Sequence, residues 1–274
     1  MSLKLPPTVI AFYAGVTLAA AAQSPSVNGN HAFAAHAEIE QGQNGQVIIK
    51  ANSPRPLLQA ITSVRRRYGW VLDYEEGRYP ASQLITDSEG RPRLRGGTFQ
   101  VGINPPKSVG AADEGTFLNS MINQTRASNP FDVSVRLNSS SRYTITGQNG
   151  VEPLMLDTPV QLPRATRTIS DTVDTILALV SQQRGIPLVR GGVVDNGLLQ
   201  STVNMGSGVK TPARDLLTQA LDAGDIARVW TQTYEPSDGT FAIGIELAVR
   251  TETDSTGEVK VTPIRNTATS LLNH

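Results

Sequence analysis

Apolar residues recur at helical spacing twice along the chain, and each time the pattern closes on a glycine and passes into an extended run. Leu57, Ala60, Ile61 and Val64 precede Gly69 and Trp70-Val71-Leu72; Val173, Ile176, Leu177 and Val180 keep the same spacing before Gly185 and Ile186-Pro187-Leu188-Val189. One constant offset carries all five positions of the first set onto the second, and the repeated glycine suits the left-handed position just past a helix end. A second helical pattern follows in each copy, Phe117, Leu118, Met121 and Ile122 in one and Leu216, Leu217, Ala220 and Leu221 in the other. Strand, turn and strand come next: Phe131, Val133 and Val135 then Tyr143 and Ile145, answered by Ile226 to Tyr234 then Phe241, Ile243, Ile245 and Leu247. The pattern predicts an internal repeat and an α+β fold: two tandem small βαββαββ-type units, with mixed sheets and helices packed on one face.

The first α/β unit is expected over 53–147 and the second over 166–250, joined by an extended connector over 148–165. In the connector, Pro153, Pro159 and Pro163 alternate with Leu154, Leu156, Val160 and Leu162, which suits pairing along a sheet edge more than a loose tether. Residues 23–52 and 251–274 are polar, with little periodicity, and are expected to be mobile segments; Val47-Ile48-Ile49 and the pair Val259 and Val261 are the short strands they allow. The copies differ most between their two helices. There the first carries Glu89-Gly90-Arg91-Pro92-Arg93-Leu94-Arg95-Gly96-Gly97, a basic loop that is either a contact surface or an ordinary solvated hairpin. Arg65-Arg66-Arg67 reads as a cationic last turn complementing the helix dipole.

Residues 1–22 have the shape of a secretory signal peptide. Lys4 and the α-amino group precede an apolar run from Val9 to Ala22 that is short for a bilayer span, and Ala20-Ala21-Ala22 supplies the cleavage site before Gln23. The expected location is periplasmic or secreted, with no stable transmembrane span after cleavage; an uncleaved interfacial anchor is the alternative. The chain has no cysteine, which removes disulfides, thiolate metal sites and a lipid anchor on cysteine. Lysine plus arginine equals aspartate plus glutamate, 24 each, so no net charge holds the chain to a polyanion and nucleic acid is not an expected partner.

Little in the sequence points to catalysis. His31, His36 and His274 all fall in segments expected to be mobile, where nothing fixes a metal ligand or general base. Asp73, Glu75 and Glu76 are the densest acidic group and follow a strand; one of them suits sugar hydrolysis, but no partner acid is marked. Gly206-Ser207-Gly208 and Gly191-Gly192 lack phosphate-loop spacing, and Ser139-Ser140-Ser141 sits at a hairpin turn. Trp70 and Trp230 read as core strand positions. No catalytic, cofactor-binding or metal-ligating residue is assigned, and no cofactor.

The helix closing into Gly185-Ile186-Pro187-Leu188-Val189, the strand Ser201-Thr202-Val203-Asn204-Met205, and the helix start Thr211-Pro212-Ala213-Arg214-Asp215-Leu216-Leu217 together resemble the short N-terminal (STN) domain of secretins and TonB-dependent receptors. The likeness covers Pro159 to Val249 and, more loosely, Ser53 to Thr146. Two such units in tandem also look like an arrangement found in exported bacterial proteins. The family pattern departs after Val249, where no barrel-length series of alternating strands follows, so the expectation is a free-standing pair of modules. The resemblance implies contact with an envelope protein partner through a sheet edge or helix face. The competing expectation is an exported small-ligand or carbohydrate binder or hydrolase, with Asp73, Glu75 or Trp70 in a cleft between the units; the seam between the copies discriminates the two.

Overall fold

Among the described residues, the repeated apolar patterns become helices and strands at the expected places in the computed structural model, which describes residues 36–106, 111–126, 132–139, 141–148, 152–192, 194–206 and 208–266. The signal peptide and its cleavage site, the polar segment before His36, and His31, Phe131, Ser140, Ser207 and His274 lie outside the described residues.

The chain opens with β1 (Glu38–Gln41) and β2 (Val47–Ser53), followed by α1 (Pro56–Tyr68), β3 (Val71–Glu76), a small hairpin of β4 (Leu84–Thr86) and β5 (Pro92–Leu94), β6 (Gly97–Ile103), α2 (Ala111–Thr125), β7 (Asp132–Ser139) and β8 (Arg142–Gln148). A connector carries β9 (Pro159–Val160). The second copy then runs β10 (Ala165–Thr168), α3 (Ile169–Arg184), β11 (Leu188–Gly191), α4 (Asn196–Gln200), β12 (Thr202–Met205), β13 (Thr211–Pro212), α5 (Ala213–Asp222), β14 (Arg228–Glu235) and β15 (Thr240–Leu247), and β16 (Val249–Thr253) and β17 (Val259–Pro263) close it.

Local chemistry accounts for the helix limits. Pro56 stands in the first turn of α1, and Thr168 caps α3 by accepting the Asp171 N–H at 3.0 Å. Both helices end on a left-handed glycine, Gly69 at φ 72° and Gly185 at φ 66°, each returning its N–H to the carbonyl four residues earlier.

Strand pairing is the same in both copies. β2 pairs antiparallel with β6, as β10 does with β12. β3 lies parallel to β8, which is antiparallel to β7; β11 lies parallel to β15, which is antiparallel to β14. The two triplets are not separate sheets. β14 pairs in parallel with β3 through Thr231 and Tyr74 and through Gln232 and Glu75, giving one six-stranded sheet in the order β11-β15-β14-β3-β8-β7.

This joint sets the layering. Both triplets read in the same lateral order, yet β3 runs antiparallel to its counterpart β11, and reversing strand direction at fixed lateral order turns a sheet over. Side chains agree: Asp73 and Glu75 of β3 reach Arg142 and the α5 residue Arg214, whereas Glu76, on the other face, meets Arg55 at the start of α1. Within each copy both helices lie on one face as expected, but the copies face opposite ways, so each face of the joint sheet carries the helices of one copy. One buried apolar cluster runs through both copies, from Ile61 and Leu118 to Ile176 and Leu217.

Two further expectations are corrected, and the pairing expected of the connector is found. The part of the 23–52 segment from Glu38 on, expected to be mobile apart from a short strand at Val47-Ile48-Ile49, forms β1 and most of β2, because Val47, Ile49 and Ala51 alternate inward at the strand period of two. The tail expected to be mobile beyond residue 251 continues the β16–β17 hairpin, whose paired residues run from Val249–Pro263 to Thr253–Val259. In the connector, Leu154, Leu156, Val160 and Leu162 are all buried, and β9 pairs with β13, so it is part of the core.

Candidate functional site

The acidic run of β3 lies in the middle of the sheet, at the seam between the copies, and all three carboxylates are buried. Asp73 accepts from Arg142 Nη1 with both oxygens at 2.9 Å and from the Trp230 N–H at 3.0 Å. Arg142 also donates to Asp222 Oδ1, from Nε at 3.0 Å, and to the Arg228 carbonyl at 2.8 Å. Glu75 accepts from Arg214 Nε at 2.9 Å and from the Leu156 N–H at 2.9 Å, and Arg214 reaches Asp157 at 2.7 Å. Glu76 accepts from Arg55 Nε at 2.9 Å, the Tyr79 hydroxyl at 3.0 Å and the Tyr234 N–H at 2.8 Å.

Electrostatically, burial drives the Asp73 and Glu75 carboxyls above their ordinary values, while Arg142 and Arg214 respectively pull them back. A dry site tolerates such groups only if every oxygen has a partner, which is how these are arranged. Each carboxylate ties one copy to another part of the fold: Asp73 to the backbone of β14, Glu75 to α5 and the connector, Glu76 to the start of α1 and β14. The seam is polar, and its carboxylates are buried and bonded. The residues expected to line a catalytic cleft are therefore assembled into a structural joint.

The other candidate residues are placed as follows. Trp70 packs in the first copy, stacked on Tyr68 at 4.7 Å between ring centres and edge-on to Phe117 at 5.4 Å. Trp230 is fully buried beside Asp73. His36 lies beside α1, its carbonyl held by Gln59 Nε2 at 3.1 Å and its ring 2.6 Å from Arg66 Nη1; burial and then Arg66 lower its pKa. Arg65, Arg66 and Arg67 form the expected cationic last turn of α1, and within it the Arg65 side chain is buried over β14, its Nη2 3.3 Å from Thr231 Oγ1, where burial lowers its pKa to about 10. In the basic loop, Arg91 and Arg93 fold back on Asp87, which also accepts backbone N–H bonds from Glu89 and Arg91 at 2.9 Å, so the arginines serve the hairpin turn. Among the described residues no group of acidic, histidine or cysteine side chains has the clustering of a metal site, and no helix is long and apolar enough to cross a membrane.

The sheet has two edges, and they differ. β11 has four residues, and its Arg190 turns back to Ser170 Oγ of α3 at 2.8 Å. β7 has eight residues, DVSVRLNS, with no proline or lysine, and among the described residues no strand pairs with its outer side. Natural edges are usually blunted by such residues or by shortness. Beside β7 the side chain of Leu137 is 49% exposed and Val135 is half-buried. A groove of about 550 Å³ runs between β7 and α2, lined by Gly115, Thr116, Asn119 and Ser120 from the helix and by Val135 and Leu137 from the strand. An unpaired row of backbone groups next to an uncharged groove is the geometry that accepts an added strand: the backbone supplies hydrogen bonds and the groove takes alternate side chains. No family model, curated protein or solved structure matches the chain.

Proposed function

We propose that the chain is an exported, periplasmic protein-interaction or adaptor protein that joins a protein partner by strand addition at β7. The observation that carries this reading is the eight-residue β7 edge, regular from Asp132 to Leu137 and bordered by the α2 groove. Lys4, the apolar run from Val9 to Ala22 and the Ala20-Ala21-Ala22 site support export. The βαββαββ order of each copy supports the STN-like reading, and with it contact with an envelope protein. The hydrolase alternative loses its proposed acids, because Asp73 and Glu75 are enclosed and fully bonded.

A photo-cross-linking side chain at Ser134, exposed on β7, tests the reading in intact cell envelopes. The expected result is a discrete protein adduct that disappears when Leu137 is changed to lysine, while the same probe at Thr86 of the β4–β5 hairpin gives none. The absence of any adduct at Ser134 overturns it.

A further inference from the structure

We propose that the strand added at β7 is β7 of a second copy of this chain, paired antiparallel about Ser134 to make a two-fold dimer with a continuous twelve-stranded sheet, twice the six strands of one chain. This inference rests on the β7 reading above and names its occupant. Its basis is self-complementarity. Antiparallel pairing centred on Ser134 sets Asp132 opposite Arg136 of the second copy, Val133 opposite Val135, and Ser134 opposite itself. The two-fold axis then makes each charged pair twice, as an isologous interface requires. Opposite charges and β-branched residues directly across strands are the pairs that stabilise antiparallel sheets.

The two charges are free for this role. Asp132 is exposed and has no ion pair among the described residues. The Arg136 side chain is 60% exposed, and its nearest acid, Asp215, stands at 3.9 Å on α5, a loose contact that a second carboxylate can replace. The backbone is also ready. From Asp132 to Leu137 the strand pairs one-to-one with β8, and its single register shift lies beyond, between Leu137 and Ser139, so the five residues needed for self-pairing are regular. Val133 and Val135 lie on the α2 side of the sheet, and the α2 surface bordering them, Thr116, Asn119, Ser120 and Asn123, carries no charge to oppose a like surface.

Sedimentation velocity of the mature protein, with charge-reversed variants, tests the pairing. Wild-type protein is expected to sediment at twice the chain mass. Asp132→Arg alone sets Arg against Arg136 in both pairs, and Arg136→Asp alone sets Asp against Asp132; each variant is expected to run as a monomer, with far-UV circular dichroism unchanged. Mixing the two variants in equal amounts restores both attractive pairs, and the dimer is expected to return. A monomeric wild type, single variants that stay dimeric, or a mixture that stays monomeric each overturn the proposal. If the wild type is monomeric while Ser134 still captures a different protein in the envelope, β7 remains a binding edge and self-pairing fails. If Ser134 captures nothing, both readings fall.

Discussion

Replacing Arg142 with methionine is expected to cost about 3–5 kcal/mol of folding stability, because it leaves Asp73 buried in the seam without a counter-charge. The guanidinium binds both Asp73 oxygens, Asp222 and the Arg228 carbonyl, so one substitution strips the central carboxylate and releases the end of α5. The double variant Asp73→Asn with Arg142→Met is expected to regain a large part of the loss. It removes both members of the buried Asp73–Arg142 pair together, the asparagine carbonyl still accepts the Trp230 N–H, and Asp222 is open enough to be solvated. Urea unfolding of the wild type, the two single variants and the double variant gives the coupling energy directly. A loss under about 1 kcal/mol for Arg142→Met, the range of a surface pair, would contradict a buried joint.

Gly206→Ala is the second large effect, expected at about 3–5 kcal/mol. Gly206 has φ 122°, and a Cβ there would lie 2.4 Å from the Pro163 carbonyl oxygen and 2.6 Å from Arg164 backbone atoms. Neither neighbour is a side chain that can swing aside, so the connector itself must move, and with it the pairing of β10 with β12. Gly208 is the control, because a Cβ there meets nothing within 4 Å. Differential scanning calorimetry should lower the unfolding temperature by on the order of 10 °C for Gly206→Ala and leave Gly208→Ala within about 1 °C of the wild type. Equal behaviour of the two variants would rule out the steric slot. Gly206 thus has a backbone role unrelated to phosphate binding.

How far the sequence could be read follows from the range of the interactions concerned. Leu57, Ala60, Ile61 and Val64 declare a helix face by their own spacing, and Gly69 and Gly185 declare its end, because these are interactions within a few residues. Arg65 continues the Leu57 and Ile61 row at the same spacing, so its burial was legible too, but its charge outweighed its position. Likewise the alternation of Val47, Ile49 and Ala51 marked β2 inside a segment whose composition suggested mobility. The pairing of β14 with β3 was not legible: Thr231 and Tyr74 are far apart in the chain, and nothing local to either marks the other. Asp73 and Glu75 could be placed at the seam, but not the groups that meet them there, because Arg142 and Arg214 are supplied from distant elements. The β7 edge shows the same limit, since Asp132 and Arg136 gain meaning only once β7 is known to end the sheet.

The central claim is that the two copies fold as one body through this seam, and the two tryptophans measure it directly. Trp70 lies in the first copy and Trp230 in the second, both buried, so Trp230→Phe and Trp70→Phe variants each leave one reporter in one copy. Within each variant, the denaturant midpoint from tryptophan fluorescence is expected to coincide with that from far-UV circular dichroism, the signature of a single cooperative transition. Fluorescence of Trp70 or Trp230 changing at a clearly lower denaturant concentration than the circular dichroism of the same variant would show copies that unfold separately, and would contradict the shared sheet.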